Sequence, residues 1–457
     1  MMMSSKIGLA LAGLCMAAWT STAAAQPAAA QTYLDGAATT GKGGAEPLPI
    51  ATLLSETWLE QVVGLSGTGV GSAVAIKDDT AFFAAPNTDT FRGAVHVIAP
   101  YVCESLCMPS VYDTLLASDG AAYDRFGASL AFDGTTLLVG ATGAAIGGRT
   151  AQGAVYVFTW NDGVWTQTQK LTAFDGAAED RFGVSVAVSG GNAVVGAYTA
   201  GVDGDDGRGA AYRFTRGVDG VWTFAQKLTA SDGGRYEQYG VSVGISDDTA
   251  MVGSRWAYQF GYYSVGAVYV YSRECHAGRC NPRWRETQKL VGSPTSTDMD
   301  FGSALAFDGT TAVIGAPWAL TGPENDPIQR ASGAVYVFTR QSGLWTQRQQ
   351  LVASDSERNW RFGSAVAVDG ASLIVGAVGV GWPTTITGAA YVFDRDGSGV
   401  WSEVKKLAAS GGTHNDYFGS GVGLSGLFAI IGAPQGPNNS GIGTGYFFYR
   451  GCGPSCM

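Results

Sequence analysis

Three histidines, His96, His276 and His414, are the only imidazoles in the 457 residues. They sit in the unrelated contexts "GAVHVI", "ECHAGRC" and "GGTHND", so neither a Ser/His/Asp relay nor a paired-histidine metal site is legible. Carboxylates recur more regularly. The stretches "ASDGAAYDR", "AFDGAAEDR" and "ASDGGRYEQ" carry Asp119, Asp124, Asp175, Asp180 and Asp232. Two carboxylates on one face could act as acid and base or nucleophile at a glycosidic bond. The plainer reading is that each caps a turn by accepting nearby amides. Another acidic group, "GVDGDDGRG", offers Asp203, Asp205 and Asp206 as candidate calcium ligands. Its glycine spacing departs from the usual calcium loop, and a solvated acidic loop competes with that reading.

Six cysteines fall in close pairs: Cys103 and Cys107, Cys275 and Cys280, Cys452 and Cys456. Spacing and number point to three local disulfides. Zinc is the alternative, since His276 adjoins Cys275, but two thiolates and one imidazole fall short of a tetrahedral set.

These residues are held by a repeat. "DRFGASLAFDGTTLLVGAT" at 124–142 is nearly repeated as "DRFGVSVAVSGGNAVVGAY" at 180–198. Its aromatic–glycine pair recurs at Phe126-Gly127, Phe182-Gly183, Tyr239-Gly240, Phe301-Gly302, Phe362-Gly363 and Phe418-Gly419, with a weaker Val70-Gly71. The steps between the seven copies are 56, 56, 57, 62, 61 and 56 residues. Each copy contains four short β-rich segments, like "FGVSVAV", "NAVVGA", "GAVYVF" and "WTQTQKL", bounded by turn residues. Asp-Gly and Gly-Gly between the first two supply the positive φ of tight hairpins. The last copy lacks its fourth segment, while "WLEQVVGLSG" at 58–67 precedes the first. The expectation is an all-β, seven-bladed propeller of four-stranded antiparallel blades, closed by the N-terminal strand completing the last blade.

The Phe-Gly pair, "VVGA" or "IIGAP", and then "GAVYVF" resemble the FG-GAP repeat of integrin α-chain propellers. The "KLTASDGA…DRFG" junctions resemble exported bacterial FG-GAP proteins. The resemblance spans about residues 56–449 and implies a propeller with binding or adhesion as its role. Integrin repeats often hold calcium between the first two strands. Here those connections are short and poor in carboxylates, so the family's calcium sites do not carry over and no cofactor is expected.

In an up-and-down blade, the junctions between blades share a face with the loops between strands two and three. That face carries the aspartates above and the aromatics of three variable loops: Trp256, Tyr258, Phe260, Tyr262 and Tyr263, then Trp318, then Trp382. Aromatics in such loops suit stacking on sugars or anchoring a protein, or else fold back as cover. The repeated Phe-Gly aromatics are expected in the core, with their glycines allowing close backbone approach. The cysteine pairs lie towards the opposite face.

Residues 1–25 read as a signal peptide: Lys6, the apolar "IGLALAGLCMAAW", and small residues favouring cleavage after Ala25. Leu14 before Cys15 fits a lipoprotein site poorly. Residues 26–51 read as a flexible leader, 52–449 as the propeller and 450–457 as a disulfide-bearing tail. No later stretch suits a membrane helix, and the net charge of −10 disfavours nucleic acid or anionic membranes as partners. The reading is an exported chain, secreted, periplasmic or at the cell surface, that binds a glycan or a surface protein. A carbohydrate-active hydrolase or lyase and a structural envelope or matrix protein are the alternatives.

Overall fold

A computed structural model describes residues 57–63, 65, 67–99, 110–259, 261–262, 264–276, 279–293, 299–321, 332–381, 386–435 and 441–451. Seven four-stranded antiparallel sheets form a β-propeller. Blades 1 to 6 span residues 74–115, 126–171, 185–228, 239–290, 304–351 and 362–407, each in sequence order from first to outer strand. Blade 7 takes Gly421–Ser425, Phe428–Ala433 and Thr444–Gly451, and its outer strand is Thr57–Val63. That strand pairs antiparallel with Thr444–Gly451, Trp58 opposite Arg450 and Val63 opposite Gly445. Thr444–Gly451 runs two residues beyond the boundary expected for the propeller.

First strands touch first strands all the way round, including blade 7 against blade 1. Their alternation of small and large residues makes this possible. A Cβ on Gly244 would lie 3.2 Å from Phe307 of the next blade, and one on Gly423 would lie 3.0 Å from Ile76. Ser129, Ser185 and Ser242 occupy the same small row and each donate to a glycine carbonyl of the following blade, at 2.7, 2.8 and 2.7 Å.

Two glycine positions recur in the blades and are dictated by neighbours, the second being filled by Ala84 in blade 1. Gly153 opens a third strand at φ +88°, and a Cβ there would sit 2.1 Å from the Phe182 carbonyl oxygen. The same parallel contact joins Gly93 to Phe126, Gly209 to Tyr239, Gly266 to Phe301, Gly333 to Phe362 and Gly388 to Phe418. Gly140, at the end of a second strand, faces the Gly183 carbonyl at 2.1 Å from its would-be Cβ, and Gly432 faces Gly71 in the same way at 2.0 Å. Backbone approaches backbone at these glycines, so a side chain added there would displace the next blade.

The repeated aromatics are core, as their placement beside glycine implied. Phe126, Phe182, Tyr239, Phe301, Phe362 and Phe418 are fully buried. Each meets the tyrosine of its own third strand edge to face; Phe126 and Tyr156 have centroids 5.5 Å apart. Phe126 also packs among Phe82, Val95 and Ala84 of the preceding blade. Burial of one such ring contributes about 2–3 kcal/mol. In blade 4 the ring is Tyr239, and its hydroxyl donates to Tyr271, which replaces the phenylalanine found at that place in blades 2, 3, 5, 6 and 7.

The outer strands of blades 1 to 6 carry a bulge, whereas Thr57–Val63 of blade 7 pairs in unbroken register. In blade 2, Thr168 is skipped between Gln167 and Gln169. Tyr112 holds the corresponding bulge place in blade 1, between Val111 and Asp113, and so is no counterpart of the strand-opening tryptophans.

Candidate binding face

Junction and loop are hydrogen-bonded together on one face. Into blade 2, the amides of Tyr123, Arg125 and Phe126 donate to the carbonyls of Thr90, Phe91 and Arg92, in the loop between strands two and three of blade 1. Glu179, Arg181 and Phe182 do the same to Thr150, Ala151 and Gln152. Adjacent amides of an ordinary extended chain point opposite ways. Here Tyr123 and Arg125 take φ of +72° and +55°, which lets these donors face one loop. The pair recurs as Glu179 and Arg181, Tyr236 and Gln238, Asn359 and Arg361, Asn415 and Tyr417, all at positive φ. These non-glycine residues keep a costly conformation, and the blade contact offsets the cost.

The residue between each pair turns inward and is buried: Asp124, Asp180, Glu237, Trp360 and Asp416. Asp124 accepts the Ala121 amide at 2.8 Å, Asp180 accepts Ala177 at 2.7 Å, and Asp416 accepts the Thr413 hydroxyl at 2.7 Å. These are turn caps. Burial raises the pKa of Asp180, against the Ala177 amide that lowers it.

The other repeated aspartate is a staple. Asp119 accepts the Tyr156 hydroxyl at 2.8 Å and the Lys170 ammonium at 2.8 Å, from the third and outer strands of the blade it enters. Asp175 with Tyr212 and Lys227, Asp232 with Tyr269 and Lys289, and Asp355 with Tyr391 and Lys406 repeat the arrangement. The bond from Lys170 holds the Asp119 carboxyl below the usual carboxylate range, outweighing burial. At Asp175, Asp232 and Asp355 burial pushes upward, and the lysine and tyrosine bonds more than offset it. Burial first, then the facing carboxylate, pushes all four phenols upward, so they remain donors.

The staple is all or none. Blades 1, 5 and 7 have Gly67, Pro294 and Gly411 in the aspartate's place and Thr114, Gln350 and Val62 in the lysine's. Their third-strand residues are served otherwise: Thr114 bonds His96 at 3.1 Å and Gln350 donates to Tyr336 at 3.2 Å. Where the carboxylate is absent the lysine is absent too, so the two occur as a unit. The recurrent carboxylates of this face are therefore engaged in building it.

The candidate calcium aspartates do not gather. Asp203 pairs with Arg208 at 3.2 Å and Asp206 with Arg235 at 3.0 Å. Among the described residues, no three His, Cys, Asp or Glu side chains are grouped to hold a metal.

Aromatic side chains and arginines stand together among the exposed groups of this face. Trp256, Tyr258 and Tyr262 are exposed in the blade 4 loop, and Trp318 is half-buried in the blade 5 loop. Tyr263 and Trp382 lie outside the described residues, as do Phe260, Cys103, Cys107, Cys452 and Cys456. Arg255 lies over Trp256 at 4.9 Å and Arg361 over Trp318 at 4.5 Å. Arg125 lies over Phe91 at 5.5 Å, and Phe91 is stacked on Tyr123. Tyr123 and Tyr236, exposed by 64 % and 59 %, and these arginines were not singled out in the sequence. Their signal was present as the changing letters in a copied junction, where Tyr123 aligns with Glu179 and Arg125 with Gln238.

At the opposite end, Cys275 and Cys280 lie within the strands Ala267–His276 and Arg279–Leu290, as direct partners in register.

The FG-GAP repeat family matches residues 111–158, 165–214, 222–271, 284–338, 345–393 and 401–448. The chain belongs to the FG-GAP repeat family. Each matched FG-GAP stretch starts in one blade's outer strand and ends in the next blade's third strand, so the family unit is a blade junction with its flanks. The weaker copy around Val70-Gly71 lies outside the matched stretches. No curated protein matches the chain.

Proposed function

We propose that this FG-GAP protein is an exported, non-catalytic binding or adhesion module that recognises a glycan or a protein through the face of blade junctions and loops between strands two and three. The observation that carries this reading is the division of labour on that face. Its recurrent aspartates are tied to tyrosine, lysine and turn amides, while large aromatic side chains remain exposed in the variable loops. Fixed aromatic surface on a rigid frame favours stacking against sugar rings or anchoring in a partner's pocket. Carboxylates already bonded to ammonium and phenol are poorly placed to serve a hydrolase or lyase. The register of Cys275 opposite Cys280 supports a local disulfide there in an oxidising compartment.

The experiment is a glycan and polysaccharide array, with a surface-protein pull-down beside it, read for retention and for released product. Retention without product, lost on combining Trp256→Ala, Trp318→Ala and Trp382→Ala in a protein of unchanged melting temperature, is the expected result. Released product would replace this reading with a carbohydrate-active enzyme. Retention unaffected by the triple substitution would move the site off this face.

A further inference from the structure

Resting on that reading, we infer that the sector of this face over blades 4 to 6 recognises an acidic polysaccharide, its uronate or sulfate groups taken by arginines held over tryptophan.

Trp256 and Trp318 occupy the same repeat position. Each stands two residues after its second strand, which ends at Ser254 in blade 4 and at Ala316 in blade 5. Each donates its amide to the junction of its own blade, Trp256 to Glu237 and Trp318 to Met299. Blades 2 and 6 place Gly143 and Gly379 there, with the same amide bond to the junction. Adjacent blades therefore present two indoles one repeat step apart, where other blades present none.

Each indole carries a guanidinium. Arg255 comes from the same loop as Trp256, and Arg361 from the junction into blade 6. Arg361 sits at φ +55°, fixed by the junction backbone. Arg255 is further oriented by Nε donating to Gln238 at 2.6 Å. Among the described residues neither has a carboxylate partner, unlike Arg208 and Arg235 on the same face, which pair with Asp203 and Asp206. A guanidinium held over an indole face keeps further N–H donors, the terminal amino groups in Arg255, for gripping an oxyanion through two parallel bonds. Aromatic surface for the sugar ring and a donor fork for its acidic substituent then lie side by side.

The chain is acidic overall, at −10, so diffuse attraction of polyanions is unfavourable. Recognition has to come from these fixed groups. Uronates and sulfates offer the same oxyanion chemistry, and the test separates them.

Full-length protein is run in affinity electrophoresis through gels containing polygalacturonate, alginate, dextran sulfate or neutral dextran. Retention by at least one acidic polymer is expected, with neutral dextran inert, and which polymer retards separates carboxylate from sulfate. R255Q and R361Q should each weaken retention at least tenfold with the melting temperature unchanged. R255K and R361K should not restore it, because lysine keeps the charge but lacks the fork. R395Q, which removes a guanidinium over Trp401 outside this face, should bind like the parent. Absence of retention by every acidic polymer overturns the inference, as does full rescue by lysine or an equal loss in R395Q. Retention of a neutral glycan that needs Trp256 and Trp318 but ignores both arginines overturns it too, while leaving the broader binding role standing.

Discussion

Phe174 lies against Phe224 with ring centroids 4.6 Å apart. In blade 2 these places belong to Ser118 and Gln167, which exchange two hydrogen bonds of 2.9 and 2.8 Å. Ser231 with Glu286, Ser293 with Gln347, Ser354 with Glu403 and Ser410 with Glu60 are built like the polar pair. One blade has exchanged a polar clamp for an aromatic one, changing both partners. Phe174→Ser and Phe224→Gln should each lower stability by about 1 kcal/mol, and the double variant should lose less than their sum, by roughly 0.5–1.5 kcal/mol. Urea denaturation of the four proteins checks this, and strict additivity would disprove the exchange.

The staples make an acid-sensitive contribution. The carboxyls of Asp119, Asp175, Asp232 and Asp355 have folded pKa values below their unfolded ones, so they bind fewer protons when folded. Their stabilisation is fully present above the ordinary carboxylate value of about 3.9 and is lost as pH falls through the lower folded value. Asp180 works the other way and favours folding slightly as pH falls through its raised value. The melting temperature should be flat near neutrality and decline below about pH 4. Replacing the four aspartates with asparagine should lower the plateau and flatten the decline. Since these ion pairs are partly exposed, each staple contributes about 1 kcal/mol or less.

Gly153→Ala should be severely destabilising, by about 2–5 kcal/mol, because positive φ and a backbone oxygen 2.1 Å from the new Cβ act together. Gly163→Ala also has positive φ but open space around it, and should cost about 1 kcal/mol. Similar losses in thermal unfolding would mean that the contact with Phe182 is unimportant.

Removing residues 1–66 should sharply lower the melting temperature. Thr57–Val63 covers the edge of Thr444–Gly451, Trp58 packs on the blade 6 and 7 core, and Glu60 binds Ser410 at 2.9 Å. Arg450 also lies over Trp58 at 5.8 Å while bonding Asp394 at 3.1 Å. A melt unchanged by the deletion would show that this strand does not hold the ring.

Much of this was readable along the chain because propeller blades are local. Strands pair with their sequence neighbours, so the β periodicity, the Asp-Gly hairpins and the seven Phe-Gly copies specify the blades. The roles of Asp119 and Asp124 were harder to separate, since both look like turn residues. Asp124 bonds an amide three residues away, whereas Asp119 waits for Lys170, 51 residues on. Comparison of the copies held a clue: Gly67, Pro294 and Gly411 replace the aspartate in the blades that lack the lysine.

The sequence alone determined the number of blades, their strand order and the rule of glycine beside aromatic, because each is enforced by contacts within one repeat or between adjacent ones. Tertiary structure decided which exposed side chains were left over. Tyr123 and Arg125 point outward because their amides must face a loop of the preceding blade, and Arg361 reaches Trp318 across a blade boundary. Such relations depend on how twisted sheets stand against one another, a geometry that no window of residues contains.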